Sequence, residues 1–333
     1  MNPIRMILIF GAMLSLTAAA LPHIVWLLGS LVAKMAGRHL RYAPFGYAAL
    51  ILIAAVILSL TYGYFLGRWK LKIKDIEYVN SELPPAFNGF RIVHISDLHL
   101  STFNNHTEKL REIVDSINAQ QPDLVCFTGD LVTLGRAEAQ PHTAMLKDIK
   151  AKFGVVSVLG NHDFLIYDSR FETDDQRSKA VDDLADYVRN ELGWILLRNS
   201  NMMLSAQDSS TIALVGVDNK NCIKQGYRTI NAGDLPKAMQ GASGFPILLT
   251  HDPSHWDYEV LPETSIPLTL SGHTHSAQVS LLGWSPASWM FKRAYGMYTE
   301  DEQSIYVNPG LGCTVPFRIG ARPEITVITL KCR

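Results

Sequence analysis

The sequence predicts a mixed α/β domain preceded by a transmembrane helical hairpin. Two stretches near the N-terminus, residues 6–33 and 43–67, contain no Asp, Glu, Lys or Arg. Beyond them, short β-branched apolar runs alternate with helical patterns, and strand-rich sequence follows from Trp194 onward. Five of the apolar runs end in blocks of Asp, Asn or His, which indicates a site built at strand ends.

The first 67 residues predict a membrane anchor. About 20 apolar residues are needed to cross a bilayer, and both stretches are long enough. Pro22 and His23 interrupt the first stretch, so we expect a kink there or a second half that lies near the membrane interface. The connection at residues 34–42 is short and basic, which favours a hairpin with the N-terminus and the following domain on one side.

A cleaved secretory signal is the alternative for the first stretch. Arg5, the apolar run and residues 18–20, which are all Ala, fit that pattern, and the second stretch would then be a lone anchor. The apolar character continues past the candidate cleavage site, which favours the uncleaved hairpin. The basic residues outside the hairpin outnumber those in its turn, so the positive-inside tendency favours a cytoplasmic domain. The two sets are Arg5, Arg68, Lys70, Lys72 and Lys74 against Lys34, Arg38 and Arg41.

Five apolar runs predict the strands that carry the site. The runs are residues 91–96, 123–128, 154–159, 246–249 and 267–271. Apolar residues at helical spacing predict core-facing helices around residues 110–117 and 181–188. Because strand ends converge at one edge of an α/β sheet, we expect the polar blocks beyond the runs to lie together.

The polar blocks are specific motifs. They are Asp97-Leu98-His99, Gly129-Asp130, Gly160-Asn161-His162-Asp163, Thr250-His251 and Gly272-His273-Thr274-His275. At roughly 5% per residue type, chance would produce the two longest motifs together about once in a million chains of this length. Coincidence therefore does not explain them.

The blocks predict a two-metal centre. Oxygen and imidazole ligands without a thiolate favour Mn, Fe or Zn over a structural cysteine site. Two cations about 3.5–4 Å apart need a ligand that reaches both, which a carboxylate does and an imidazole cannot, and we expect Asp130 to be that bridge. Water shared by two such cations is acidified to hydroxide, which can attack the phosphorus of a phosphate ester in line with the leaving oxygen.

Residues 75–330 resemble the calcineurin-like metallophosphoesterases, and more closely the membrane-anchored bacterial phosphodiesterases of that family, because the motifs occur in the same order. The resemblance implies a four-layer α-β-β-α sandwich over residues 85–333, after a linker and first strand at 68–84. It also implies two divalent ions per chain, with Mn favoured. With the predicted helical hairpin, we expect a multi-pass protein of the bacterial inner membrane.

The same resemblance assigns the site residues. It implies Asp97, His99, Asp130 and His275 around one metal, and Asp130, Asn161, His251 and His273 around the other. His162 matches the histidine that faces the leaving group as a general acid or charge stabiliser. The sequence departs from the family pattern at one place, where Ser276-Ala277-Gln278 stands instead of Gly-Gly-Gln. This departure affects the expected substrate contacts and leaves the ligands intact.

Several residues outside the ligand set have ordinary explanations. We expect His94, His106, His142 and His255 to be surface or hydrogen-bonded histidines. Asp163 is expected to brace its loop through nearby backbone amides, and Asp218 to be structural.

A segment after the last histidine motif bears on the substrate. Its apolar and aromatic residues are Leu281, Leu282, Trp284, Trp289, Met290, Phe291, Tyr295 and Tyr298. With Lys292 and Arg293 among them, they suit the headgroup region of a membrane and could admit a lipid phosphodiester. Packing of these rings against the domain's own sheet is the more ordinary expectation.

Charge and cysteine content exclude some functions. With 30 Lys and Arg against 31 Asp and Glu, the chain lacks the basic excess that duplex nucleic acid requires, so we expect no nucleic-acid partner. The four cysteines show no metal or redox spacing, which is compatible with a reducing compartment.

Together these features predict a membrane-anchored, metal-dependent phosphoric ester hydrolase. We expect a phosphodiesterase or pyrophosphohydrolase that acts on a lipid-linked substrate, and UDP-2,3-diacylglucosamine is the specific candidate, since membrane-bound relatives are thought to cleave it. Soluble nucleotides are the alternative substrates. A metal-binding scaffold without catalysis is a further alternative, although such relatives typically lack histidines that this chain retains.

Overall fold

The computed structural model describes residues 3–333, which form two compact units. The first unit comprises the described residues up to Arg68 together with Val315–Ile319. The second comprises Trp69–Thr314 and Gly320–Arg333.

The first unit contains a pair of long apolar helices, α1 (Pro3–Met35) and α2 (Ala43–Phe65). Both are long and apolar enough to cross a membrane. The hydroxyl of Tyr42 lies 2.8 Å from Nε2 of His23, so the chain turns back and the two helices form a hairpin. Helix α1 continues through Pro22 to Met35, so the interruption expected there does not end the helix. A single proline removes one backbone donor, and the remaining turns persist.

In the part of the chain that the structure describes, the second unit contains two mixed six-stranded sheets. The first sheet has the spatial order β1 (Lys72–Asn80), β12 (Glu324–Cys332), β2 (Arg91–Ile95), β3 (Leu124–Phe127), β4 (Val155–Ser157) and β5 (Ile195–Leu196). The second has the order β10 (Gly296–Glu300), β11 (Gln303–Val307), β9 (Leu268–Ser271), β8 (Phe245–Leu249), β7 (Thr211–Gly216) and β6 (Ser200–Ser205). Strands β2 to β5 run parallel, as do β7, β8, β9 and β11.

Helices cover the outer faces of both sheets. They are α3 (Thr107–Ala119), α4 (Thr143–Lys147) and α5 (Asp174–Asp186) on the first sheet, and α6 (Leu235–Met239) and α7 (Leu261–Glu263) on the second. Between the sheets, Ile92 and Leu124 share one apolar core with Leu214 and Ile247. This arrangement confirms the predicted four-layer α-β-β-α sandwich.

Strand β1 is an integral part of the first sheet. It pairs in parallel with β12 over its whole length, from Lys72 opposite Glu324 to Asn80 opposite Cys332. The first strand that the sequence predicts within residues 68–84 therefore lies in the same compact unit as β2.

The aromatic segment after the last histidine motif divides into two parts. Tyr298 packs against the core of the second sheet, as expected for a ring that covers the domain's own sheet. Phe291 is buried in a separate small cluster with Ala287 and Ala294. The preceding apolar side chains are exposed instead: Leu281, Leu282, Trp284, Trp289 and Met290.

Candidate metal centre

The loops that follow β2, β3, β4, β8 and β9 bring the seven predicted ligands together. They are Asp97, His99, Asp130, Asn161, His251, His273 and His275. The structure places them in two neighbouring groups, and Asp130 of the second group also approaches His99 of the first.

The first group consists of Asp97, His99 and His275. Nε2 of His99 lies 3.1 Å from Nε2 of His275, which in turn lies 3.1 Å from Oδ1 of Asp97. Within the described residues, this buried Oδ1 has no hydrogen-bond partner. Buried carboxylate oxygens normally have partners. Two imidazole nitrogens that converge on such an oxygen form a donor set that fits a divalent cation.

The second group consists of Asp130, Asn161, His251 and His273. Oδ1 of Asn161 lies 3.0 Å from Nε2 of His251 and 2.8 Å from Nδ1 of His273. Nε2 of His251 is also 3.2 Å from Oδ2 of Asp130. This set of carboxylate, amide and imidazole atoms suits Mn, Fe or Zn as well.

Asp130 of the second group also approaches the first group. Its Oδ2 is 3.5 Å from Nε2 of His99 in the first group and 3.2 Å from Nε2 of His251 in the second. Its Oδ1 accepts a hydrogen bond of 2.8 Å from the backbone N–H of His162. The carboxylate is therefore held in a position from which it can bridge two ions.

The backbone at the site is strained. Five of the seven predicted ligands have left-handed φ values: Asp97 (51°), His99 (40°), Asp130 (60°), His273 (73°) and His275 (47°). Such conformations cost of order 1–3 kcal/mol each and cluster at functional sites. Two glycines permit this crowding, because a Cβ at Gly160 would overlap the carboxylate of Asp130 and one at Gly272 would overlap that of Asp97.

The motif in which the sequence departs from the family pattern has the same conformation. Ser276, Ala277 and Gln278 have φ values of 52°, 47° and 57°, which continue the left-handed run from His275. Glycine adopts this conformation without penalty, whereas Ser276 and Ala277 are strained in it.

Backbone carbonyls orient the imidazoles. Nδ1 of His251 donates to the carbonyl of Thr128 at 2.7 Å, and Nδ1 of His162 donates to the carbonyl of Thr133 at 2.9 Å. A carbonyl only accepts, so each Nδ1 carries the proton and each Nε2 is directed elsewhere. For His251, Nε2 faces the carboxylate of Asp130. The structure also groups His162 with His99 and Asp130, with one potential ligand atom of each within 4.8 Å of the others.

Electrostatics keep Asp130 ionised. Burial by itself would raise the pKa of Asp130, but His251, His162 and His99 together outweigh burial, and the pKa lies below its ordinary value. Burial lowers the pKa of His251, but the charge and hydrogen bond of Asp130, the charge of Asp97 and the carbonyl of Thr128 together raise this pKa to about 10. The carboxylate that would bridge the ions is thus a strong acceptor at neutral pH.

Asp163 braces the loop, as the sequence predicts. Its oxygens accept backbone hydrogen bonds from Asp130, Val132 and Gly160 at 2.7, 3.1 and 3.0 Å. Burial and the charge of Asp130 raise the pKa of Asp163 to about 7.

The other residues that the sequence analysis placed outside the ligand set also have hydrogen-bond or ionic partners. Nε2 of His94 lies 2.9 Å from Oγ1 of Thr128, and Asp218 forms an ion pair of 3.1 Å with Arg198. The other histidines contact hydrogen-bond or ionic partners in the same unit: His106 with Glu108, His142 with Asn104, and His255 with Thr250 and Glu259.

Sequence reasoning missed the residues that orient His273 and Asn161. Oε1 of Gln225 lies 3.0 Å from Nε2 of His273, and Nε2 of Gln225 donates to Oδ2 of Asp252 at 2.6 Å. Tyr167 accepts a 3.0 Å hydrogen bond from Nδ2 of Asn161, which turns the amide oxygen toward the histidines. Asp252 directly follows His251 and gave a local signal, whereas Gln225 lies in an irregular segment that gave none.

Three relatives are similar over most of this chain. The metallophosphoesterase YkuE of Bacillus subtilis (strain 168) is 32% identical over 309 residues, which cover 90% of this chain and 98% of the relative. A zebrafish (Danio rerio) transmembrane protein with a metallophosphoesterase domain is 31% identical, and the match covers 86% of this chain and 63% of that protein. The UDP-2,3-diacylglucosamine pyrophosphatase LpxG of Chlamydia trachomatis is 27% identical, with 83% of this chain and 94% of LpxG covered.

The family model for calcineurin-like phosphoesterases matches residues 90–277, which contain the five strand-end motifs. Families of this kind bind two divalent metals, and the two groups that share Asp130 fit that requirement. The chain belongs to the calcineurin-like phosphoesterase family.

Proposed function

We propose that this protein is a membrane-anchored phosphodiesterase or pyrophosphohydrolase with a binuclear metal centre. The observation that carries the proposal is the position of Asp130, whose Oδ2 lies within 3.5 Å of imidazoles in both groups. Asp97, His99 and His275 would hold one ion with Asp130, and Asn161, His251 and His273 would hold the other.

Two divalent cations, when bound, would neutralise the phosphate oxygens and acidify the attacking water. The chain's own residues fix the geometry of that chemistry. Tyr167 aims the amide oxygen of Asn161 inward, and the carbonyl of Thr128 directs Nε2 of His251 toward Asp130. Preorganised ligands of this kind need no rearrangement during the reaction.

His162 is the proposed proton donor to the leaving oxygen. Its Nδ1 proton is committed to the carbonyl of Thr133, so Nε2 is the atom that would carry and release a proton. The ring is half-buried and its centroid lies 4.8 Å from that of His99, which keeps Nε2 beside the metal centre.

A lipid-linked pyrophosphate is the proposed substrate, and UDP-2,3-diacylglucosamine is the specific candidate. The two apolar helices support this choice, because a tethered enzyme meets substrates that lie in the bilayer. The similarity to LpxG supports the same substrate class. We further propose a multi-pass protein of a bacterial inner membrane with the catalytic unit on the cytoplasmic side.

The test is Mn-dependent release of UMP from UDP-2,3-diacylglucosamine by the detergent-solubilised full chain. Asp130→Asn is the blank, and a chromogenic phosphodiester is the activity control. Release that is lost in Asp130→Asn supports the proposal. Cleavage of the chromogenic control without UMP release would support phosphodiesterase activity and exclude UDP-2,3-diacylglucosamine as the substrate.

Soluble nucleotides are the second candidate substrates. Hydrolysis of nucleotides that survives removal of residues 1–67 and needs no detergent would favour them. Fewer than one divalent ion per chain after Mn loading would instead indicate a scaffold without catalysis.

A further inference from the structure

Residues Leu281–Met290 form an exposed apolar loop, named here the apolar loop, that begins with a tight turn. The backbone N–H of Leu281 donates to the carbonyl of Trp284 at 2.8 Å, and that of Trp284 donates back at 3.0 Å. The two central residues, Leu282 and Gly283, have φ values of 50° and 85°. Positive φ at both positions is the signature of a type I′ turn.

The residue at the tip of this turn is unfavourable in water. Type I′ turns prefer Asn, Asp or Gly at the first central position, because other residues pay about 1–2 kcal/mol for a left-handed conformation. Here that position holds Leu282, whose side chain is fully exposed. A strained, apolar residue at the tip of the turn indicates that this tip contacts something other than water in the functioning protein.

The rest of the apolar loop extends the same surface. Trp289 is 81% exposed and Leu281 is 69% exposed, and Trp284 and Met290 are also exposed. The rings of Trp284 and Trp289 meet edge to face, with centroids 5.2 Å apart. Contiguous apolar patches on soluble surfaces mark sites of interaction with proteins or membranes.

Charge favours an anionic lipid surface as the occupant. The sequence from residue 264 to residue 299 contains no Asp or Glu. Lys292, directly after the loop, is exposed, whereas Arg293 is engaged by Asp257 and Glu300. Tryptophan and lysine together are typical of the membrane–water interface.

We propose that the apolar loop inserts into the interfacial layer of the bilayer that holds α1 and α2. This inference rests on the proposed membrane anchoring. The bilayer is favoured over a second copy of the chain because α2 ends at Phe65 and the second unit begins at Trp69, so lipid is within reach of every copy.

The apolar loop lies next to the candidate metal centre. Oγ of Ser285 donates to the backbone carbonyl of Ser276, the residue after His275. Just beyond the loop, the ring of Phe291 lies 5.5 Å from that of His273. Insertion of the loop would therefore bring the metal centre to the headgroup region, where a lipid phosphate lies.

The experiment uses the full chain in vesicles of phosphatidylethanolamine and phosphatidylglycerol. Leu282→Cys is labelled with an environment-sensitive nitrobenzoxadiazole dye after Cys222 and Cys332 are changed to Ser. Val79→Cys is the matched control, because Val79 is an exposed apolar residue of the same unit. Quenching is compared between a lipid-borne nitroxide and a water-soluble nitroxide.

We expect the lipid-borne quencher to act several-fold more strongly on the label at position 282 than at 79, and the water-soluble quencher to show the reverse order. Equal access of the water-soluble quencher to both positions would overturn the proposal. Self-quenching at position 282 that rises with protein density would assign the surface to a second copy and overturn it as well.

A second readout separates this inference from the proposed function. Leu282→Ser should leave cleavage of a water-soluble chromogenic phosphodiester unchanged and should reduce cleavage of a phosphodiester held in vesicles. If the unmodified protein cleaves neither substrate, the proposed function fails, and the quenching result still decides whether the loop contacts lipid.

Discussion

Replacement of Gln225 by Leu should weaken the second metal site without removing a ligand. Nε2 of Gln225 donates to a carboxylate oxygen of Asp252 at 2.6 Å, and a carboxylate only accepts, so Oε1 of Gln225 must face His273. Oε1 lies 3.0 Å from Nε2 of His273 and therefore accepts its proton. This leaves Nδ1 of His273, which faces Asn161 at 2.8 Å, with a free lone pair for a metal.

The size of the effect follows from this hydrogen bond. Without Gln225, the described groups that face Nε2 of His273 are the more distant Tyr227 hydroxyl at 3.3 Å and Asp252 carboxylate at 3.6 Å, so the imidazole can take the other tautomer and present a proton to the metal. Loss of such an orienting partner typically costs 10–100-fold in metal affinity, which equals about 1.4–2.7 kcal/mol. We therefore expect one of the two Mn affinities to fall by about this factor in Gln225→Leu, measured by calorimetric titration of the detergent-solubilised protein.

The matched control is Asn221→Leu. Asn221 donates to the same oxygen of Asp252, at 2.9 Å, but is not among the hydrogen-bond partners of His273. The Asn221→Leu variant should bind both ions nearly as well as the unmodified protein. An unchanged affinity in Gln225→Leu, or an equal loss in both variants, would refute the tautomer argument.

Three further predictions concern catalysis, backbone strain and pH. His162→Gln should lower kcat about 10²–10⁴-fold for an alkyl leaving group and far less for nitrophenolate, which needs no proton; equal losses would argue against a proton donor. Ala277→Gly should raise the unfolding free energy of the second unit by about 0.5–1 kcal/mol, because Ala277 has a φ of 47°, and a lower unfolding free energy would contradict the strain argument. Burial lowers the pKa of His94 to about 3, so the unfolded chain binds more protons than the folded chain between about pH 6.5 and 3. The unfolding free energy therefore decreases as the pH is lowered through that window. The unmodified protein should therefore lose about 1.4 kcal/mol more than His94→Gln between pH 7.5 and 5.5 in denaturant titrations, and equal losses would contradict this origin.

The strand-end motifs were predictable because each is local in the chain. Asp97 and Asp130 follow apolar runs that form the neighbouring parallel strands β2 and β3, whose ends lie together, and His251 follows the run that forms β8 of the second sheet. The strands end a residue or more before most predicted ends, because left-handed residues such as Asp97 and Asp130 follow them.

Features that depend on distant or irregular contacts were not predictable. The insertion of β12 between β1 and β2 joins residues more than 200 positions apart, and no local pattern encodes such a pairing. Gln225 acts on His273 from an irregular segment, where there is no periodicity to read. The exposure of Leu282 likewise became visible only with the turn geometry, since an apolar residue in sequence predicts burial.

Electron paramagnetic resonance of the Mn-loaded full chain, combined with metal analysis, tests the bridged binuclear centre most directly. We predict two Mn ions per chain with an exchange-coupled signal, because a shared carboxylate holds such ions about 3.5–4 Å apart. Asp130→Asn should lose the coupled signal. One ion or fewer per chain, or two ions without coupling in the unmodified protein, would contradict the role assigned to Asp130.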